Sequence, residues 1–165
     1  MGALLMTDTL IIYYSSTGYN ERVAQLITNK TNADLFRIEP ERAYDTDMWA
    51  AWDVAKKERE ENDLPVLKSD YPDMSKYQRI MLGGPSWGFT LSNPLQSFLK
   101  KADFAGKPLY PWVTYYDHDE KYLSDLKQQL HNGQVNDLLE LTMGTLNDQT
   151  KLDQTITKWL SQIKN

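Results

Sequence analysis

The hydrophobic residues of this sequence follow two alternating patterns, short apolar runs and longer stripes with a spacing of three or four residues. The runs predict five strands, at residues 9–14, 35–38, 79–82, 109–114 and 135–141. The stripes predict helices, within residues 21–28, 47–61, 93–102, 122–130 and 152–163. Such an alternation is typical of an α/β domain whose parallel sheet carries helices on both faces, joined by right-handed crossovers.

Glycine, proline and charged residues set the expected limits of these elements. The sequence Gly83-Gly84-Pro85 predicts the end of the third strand. Pro111 is unfavourable inside the fourth strand, because its missing N–H removes one hydrogen bond of the sheet. The charged run at residues 56–61 is interpreted as the solvated end of a helix rather than as a binding patch.

Composition narrows the classes of function. A length of 165 residues fits one domain over residues 1–165, with residues 1–8 as a loose N-terminal extension. The net charge of -5 argues against a nucleic-acid-binding protein, which needs a basic surface. The chain has no cysteine, so redox chemistry requires a bound cofactor. Neither a membrane span nor a secretory signal is visible, so we expect a cytoplasmic protein without membrane contact.

Three polar loops follow the first, third and fourth predicted strands. In a parallel α/β sheet ligands bind outside the carboxyl ends of the strands, so function is expected at these loops. The first loop combines hydroxyl groups, a glycine and a helix-capping residue: Ser15, Ser16, Thr17, Gly18, Tyr19 and Asn20. Hydroxyls and N–H groups at a helix N-terminus suit a phosphate. A plain polar turn, with Asn20 as the cap of the following helix, explains the same residues equally well.

The second and third loops carry aromatic residues. The second contains Pro85, Ser86, Trp87 and Gly88. Trp87 either stacks on a flat ligand or packs within its own domain. The third contains Thr114, Tyr115, Tyr116 and Asp117, where one tyrosine ring suits a flat ligand. Asp117, His118 and Asp119 are of metal-ligand types, but a solvated turn before a helix is the favoured interpretation.

Taken together, the three loops resemble those of the flavodoxin family. The first resembles the phosphate-binding sequence T/S-x-T-G-x-T of that family, with matches at Ser15, Thr17 and Gly18. The second resembles the G-x-P-x-W segment of a bacterial short-chain subgroup, with matches at Gly83, Pro85 and Trp87. Residues 103–108 resemble the D-F-x-G-K connection of that subgroup. The similarity extends from about Thr9 to Ile163 and implies a flavodoxin-like three-layer fold with a five-stranded parallel sheet in the order 2-1-3-4-5.

The resemblance also implies an FMN site and a role in electron transfer. The residues from Ser15 to Asn20 would hold the phosphate, and Trp87 with Tyr115 or Tyr116 would flank the isoalloxazine ring. Redox partner proteins would bind through weak, transient contacts, and the residues Asp117, Asp119 and Glu120 are either part of an acidic docking rim or ordinary solvated charge.

Two other functions stay open on the same fold. One is a flavin-dependent NAD(P)H or quinone reductase, so whether the protein is an enzyme with its own substrate is undecided. The other is a flavin-free binding module. It is motivated by Tyr115, Tyr116 and Asp117, which stand where the subgroup often has small residues after the fourth strand.

Overall fold

The computed structural model describes residues 5–68 and 70–163. The strands are β1 (Thr9–Tyr13), β2 (Asp34–Arg37), β3 (Arg79–Trp87), β4 (Thr90–Leu91), β5 (Pro108–Tyr115), β6 (Gln134–Val135) and β7 (Leu139–Thr142). The helices are α1 (Tyr19–Thr31), α2 (Met48–Glu60), α3 (Asn93–Lys101), α4 (Tyr122–Gln129), α5 (Met143–Leu146) and α6 (Gln149–Ser161), and a short 3-10 turn covers Met74–Lys76. None of the helices in these two ranges is long and apolar enough to cross a membrane.

The sheet has the strand order β2-β1-β3-β5-β6, and these neighbours pair in parallel. The strand β7 also pairs with β5 in parallel, at residues further along β5 than those that pair with β6. The two short strands β6 and β7 therefore occupy the place of the predicted fifth strand. Since the predicted fourth strand is β5, the predicted parallel order 2-1-3-4-5 is confirmed.

Two hydrophobic cores lie on opposite faces of the sheet. Alternate residues of a strand point to opposite faces. Accordingly, Leu10 and Ile12 of β1 belong to one core, and Ile11 and Tyr13 belong to the other. Helices α3 and α4 contribute to the first core, whereas α1 and α6 contribute to the second. The result is the predicted sandwich of three layers, with the sheet in the middle.

The predicted fifth strand is interrupted opposite Pro111. The strand β6 pairs with β5 as far as Leu109, and β7 begins its pairing at Trp112. The N–H of Asn136 donates to the carbonyl of Leu109 at 2.9 Å, so the backbone polar groups of Leu109 face the side of β5 along which β6 and β7 pair. Two residues further along β5, the backbone of Pro111 faces the same side, but proline has no N–H that could donate a hydrogen bond to the neighbouring strand. The missing donor therefore coincides with the interruption.

The strand β3 continues through Gly83-Gly84-Pro85 to Trp87, so the predicted end at residue 82 is wrong. Gly83 pairs with Trp112, and Pro85 pairs with Thr114, in a continuous parallel register with β5. The absence of a side chain at Gly83 makes room for the indole of Trp112, because a Cβ there would lie 1.8 Å from Trp112 Cε2. The glycine thus permits packing across the strand instead of ending it.

Met6 and Asp8 contact the rest of the domain, contrary to the predicted loose extension, whereas Leu5 and Thr7 are exposed. Met6 is fully buried in the core that α1 covers, and its N–H donates to the carbonyl of Thr31 at 2.8 Å. Asp8 Oδ1 accepts a hydrogen bond from Nη2 of the buried Arg79 at 2.5 Å. Residues 1–4, the first part of the predicted extension, lie outside the described residues.

Candidate functional site

The carboxyl ends of β1, β3 and β5 lie side by side at one edge of the sheet, because these three strands are neighbours with β3 in the middle. The first predicted loop follows β1, and the third begins at the end of β5. The residues of the second predicted loop form the end of β3 and the turn after it. The fold therefore brings all three loops together, and this edge is the candidate site.

The first loop leaves hydrogen-bonding groups without protein partners at the start of α1. The hydroxyl of Ser15 is buried and makes no hydrogen bond within the described residues. Gly18 is the N-cap of α1 and has a φ of 98°, in the left-handed region that favours glycine. No side chain caps the first turn of α1, while Ser16 is half-buried and Thr17 is exposed beside it. An unpartnered buried hydroxyl next to an uncapped helix N-terminus fits a phosphate group.

Asn20 lies inside α1, so its predicted role as the cap of this helix is wrong. Its side chain is buried, its Nδ2 donates to Thr114 Oγ1 at 2.8 Å, and its Oδ1 accepts from Trp112 Nε1 at 2.9 Å. Because both ends of the amide bond to β5, Asn20 and Thr114 fix the start of α1 against the strand that leads to the third loop. The side chain of Tyr19 points toward the end of α5, since its hydroxyl donates to Asn147 Oδ1 at 3.4 Å.

Trp87, the last residue of β3, packs edge-on against two tyrosine rings. Its ring centroid lies 5.7 Å from that of Tyr14 and 4.9 Å from that of Tyr44. Tyr14 directly precedes the first loop, so the indole adjoins the start of that loop. Trp87 is only half-buried, as are Pro85 and Ser86 before it. The ring is therefore packed within its own domain and still has surface available for a flat ligand.

Hydrogen bonds join the second loop to the third. The strand β3 turns into β4 through Gly88 and Phe89, which have φ values of 59° and 74°. The hydroxyl of Ser86 donates to the carbonyl of His118 at 2.7 Å, and the N–H of Lys121 donates to the carbonyl of Phe89 at 3.0 Å. The Phe89 and His118 rings also lie 4.7 Å apart. The second loop is thus a β-hairpin whose tip is bonded to the third loop.

The two tyrosines of the third loop have different surroundings. Tyr115 is half-buried at the end of β5 and packs against the first core. Burial, followed by the nearby charge of Asp119, raises the pKa of Tyr115. Tyr116 is 59% exposed, and Asp117 after it is exposed as well. Of the two rings, that of Tyr116 presents the larger surface to solvent at this edge.

The third loop also concentrates negative charge. Asp119 Oδ2 is buried without a hydrogen-bond partner in the described part of the chain. Burial, followed by the charge of Glu120, raises the pKa of Asp119. A hydrogen bond of 2.8 Å between His118 and Glu120 raises the pKa of the imidazole and lowers that of the carboxyl group. Within residues 5–68 and 70–163, no three His, Asp or Glu side chains lie close enough together to hold a metal ion.

Glu58 and Arg59 of α2 reach the candidate site, so the interpretation of their charged run as a solvated helix end is wrong for these two residues. Arg59 donates a hydrogen bond to the carbonyl of Trp87, and Glu58 accepts one from the hydroxyl of Tyr44. The sequence does contain a signal for this placement. Glu58 lies three positions and Arg59 four positions after Ala55, which is fully buried. Residues at this spacing share one face of a helix, so both lie on the same face as Ala55.

Solved structures of flavoproteins share this fold. The flavoprotein in complex with FMN from Lactobacillus acidophilus NCFM is 22% identical, with a TM-score of 0.72 over 89% of this chain and 97% of that chain. The apo-form of the flavoprotein from the same organism is 19% identical, with a TM-score of 0.62 over 85% of this chain and 93% of that chain. A flavodoxin from the domain Archaea is 14% identical, with a TM-score of 0.54 over 93% of this chain and 94% of that chain. No curated protein matches the chain significantly.

A family model described as Flavodoxin matches residues 8–163. The matched region contains every described element from β1 to α6, together with the three loops of the candidate site. The solved structures agree with the same parallel sheet and flanking helices. The predicted resemblance is therefore confirmed, and the chain belongs to the flavodoxin family.

Proposed function

We propose that this protein binds FMN at the carboxyl edge of its sheet and transfers electrons. One observation carries the proposal: the buried, unpartnered hydroxyl of Ser15 lies beside the uncapped start of α1. These are the groups that a phosphate requires. Trp87 offers an aromatic surface at the end of the neighbouring strand. The likeness of the fold to a flavoprotein crystallised with FMN supports the same assignment.

The residues at this edge suit different parts of FMN. The Ser15 and Thr17 hydroxyls and the N–H groups that follow Gly18 would bind the phosphate, while Trp87 and Tyr116 would contact the isoalloxazine ring. Bound FMN supplies reversible electron uptake, which the side chains of a chain without cysteine do not provide. The exposed carboxylates of Asp117 and Glu120 would place negative charge at this edge of the sheet, which disfavours additional negative charge on the ring and lowers its reduction potential.

The proposal predicts that added FMN loses its fluorescence when it binds, because aromatic side chains that contact the ring quench its excited state. Purified protein would be titrated into FMN while emission and the visible spectrum are followed. We expect saturable quenching and a shifted flavin absorption band. If FMN at tens of micromolar, about the range of weak specific binding, shows no quenching, FMN binding is excluded and a flavin-free binding module becomes the better assignment.

A carrier and a reductase differ in their need for a partner. The sequence contains no G-x-G-x-x-G dinucleotide fingerprint. We therefore expect the pure FMN-loaded protein to show no steady NAD(P)H oxidation with a quinone, and turnover to require a separate reductase. The measurement is absorbance at the NAD(P)H band, with and without that reductase. Steady oxidation by the pure protein would favour the reductase alternative instead.

The same assay tests how a redox partner would bind. We propose that a partner with a basic surface docks weakly on the acidic rim formed by Asp117, Asp119 and Glu120, of which Asp117 and Glu120 are exposed and Asp119 is half-buried. Charge attraction across such a rim is screened by salt. Electron transfer from a reductase should therefore slow as ionic strength rises, and a rate that does not respond to salt would contradict an electrostatic rim.

A further inference from the structure

Arg59 ties both strands of the hairpin that carries Trp87 to the end of α2. Its Nη1 donates to the carbonyl of Trp87 in β3 at 2.8 Å, and its Nη2 donates to the carbonyl of Leu91 in β4 at 2.8 Å. Its Nε donates to Asn93 Oδ1 at 2.7 Å. All three nitrogens of the guanidinium are used, and each has a different acceptor. A planar fork with fixed donor directions holds these three acceptors in one arrangement.

Glu58, the preceding residue of α2, holds the other ring of the site. Its Oε1 accepts from the hydroxyl of Tyr44 at 2.6 Å and from Asn93 Nδ2 at 2.9 Å. Asn93 is fully buried and therefore links the two side chains, since it accepts from Arg59 and donates to Glu58. One connected network thus fixes the Trp87 backbone and the Tyr44 side chain. The centroids of the Trp87 and Tyr44 rings lie 4.9 Å apart.

The network is partly shielded from solvent, since Asn93 is fully buried and Glu58 and Arg59 are half-buried. Burial lowers the pKa of Arg59, and the Trp52 ring lies 5.2 Å from its guanidinium carbon. Gly88 borders the same space, because a Cβ there would lie 2.3 Å from Trp52 Cη2 and 3.0 Å from Arg59 Nη1. A desolvated charge is favourable only when its hydrogen bonds are complete, so displacing any acceptor is costly.

We propose that Glu58 and Arg59 are positioning residues that set the mutual geometry of Trp87 and Tyr44, and through Trp87 the reduction potential of a flavin bound against it. The inference rests on the proposed FMN site for its redox consequence. The packing of the two rings does not depend on FMN and can be measured without it. Stacking between aromatic systems depends on their offset and angle. A shift of the hairpin therefore changes how strongly Trp87 stabilises the bound isoalloxazine ring in each of its redox states.

The experiment compares Arg59→Met and Arg59→Lys with Lys57→Met, a matched control on the same helix whose side chain is 73% exposed. Near-ultraviolet circular dichroism of the FMN-free protein sums the packing of five tryptophans and ten tyrosines, so each variant is also measured in a Trp87→Phe background, and the difference isolates the signal of Trp87. FMN affinity and reduction potential are then measured on the loaded protein. We expect Arg59→Met to lose near-ultraviolet intensity, to bind FMN about tenfold more weakly and to change the potential, while Lys57→Met stays like the unsubstituted protein.

Arg59→Lys separates position from charge. An ammonium keeps the charge but cannot reach three divergent acceptors, so we expect its ring packing and potential to remain altered. If lysine restores every readout, the charge alone matters and the positioning role is overturned. The role is also overturned if folded Arg59→Met matches Lys57→Met in circular dichroism and potential. If Arg59→Met does not fold, the lysine variant decides. If no variant or parent binds FMN, the proposed function fails, whereas circular dichroism still tests the positioning.

Discussion

The substitution Gly83→Ala is expected to destabilise the fold by about 3 kcal/mol or more, out of a total of about 5–15 kcal/mol for a typical domain. The new Cβ would lie 1.8 Å from Trp112 Cε2 and 2.1 Å from Trp112 Cζ2. No pair of non-bonded carbon atoms tolerates such a separation, so either the indole or the strand β3 has to move.

The indole of Trp112 has little freedom to move away. It is fully buried, its Nε1 donates to Asn20 Oδ1 at 2.9 Å, and its ring lies 6.4 Å from that of Trp159. A displaced ring would leave the Asn20 oxygen buried without its donor, which adds to the loss of packing. A displaced β3 would instead break its pairing with β5. Both responses are unfavourable, and this makes the expected effect large.

Equilibrium unfolding in urea, followed by far-ultraviolet circular dichroism, measures this effect. Gly144→Ala is the matched control, because its Cβ would meet only Thr142 Oγ1, at an ordinary distance of 3.8 Å. It lies in the helix α5, where alanine is preferred over glycine. We expect the control to unfold at the parental midpoint or above. A Gly83→Ala midpoint within error of the parent would show that the strand yields easily at this position.

The substitution Gly18→Val is expected to weaken FMN binding about hundredfold or more. With a φ of 98°, Gly18 has a conformation that β-branched residues essentially never adopt. Valine would force the backbone between β1 and α1 onto another path. The N–H groups at the start of α1 would then no longer point at the phosphate position beside Ser15. The loss comes from the backbone, because no heavy atom lies within 4 Å of a Cβ built at Gly18.

Gly106→Val is the matched control for this prediction. Gly106 also has a positive φ, 74°, and no heavy atom lies within 4 Å of its Cβ position. It lies two residues before β5, so it is at the opposite edge of the sheet from Gly18. Both variants should lose similar stability, and only Gly18→Val should lose FMN affinity in a fluorescence titration. Equal losses of affinity, or none in either variant, would contradict the assignment of the phosphate loop.

Much of the fold could be predicted because it depends on local patterns. The period of the apolar residues distinguished strands from helices, and the alternation of the two kinds of element required parallel crossovers. The polar loops then had to meet at one edge, because parallel strands all end on the same side. Ser15 and Gly18 were recognisable for the same reason, since a hydroxyl and a glycine before a helix have local conformational preferences.

Other features could not be predicted because each depends on a residue far away in the chain. The local sequence at Gly83 predicts the end of a strand, but the strand continues because the Trp112 indole fills the space beside the glycine. Asn20 reads as a cap, but its amide satisfies polar groups 92 and 94 residues away. Likewise, the local sequence predicts that Arg59 is solvated, whereas in the structure it donates to carbonyl groups of the β3–β4 hairpin.

The amino-acid sequence by itself determined the kind of elements, their order and the edge where the three polar loops meet, because periodicity and turn chemistry are properties of neighbouring residues. Only the tertiary structure decided which polar groups are satisfied by the protein and which have no partner within the described residues. Asn20 and Thr114 bond to each other, whereas the buried hydroxyl of Ser15 has no partner in the described residues. That distinction depends on which side chains meet across the sheet, and no local pattern encodes it.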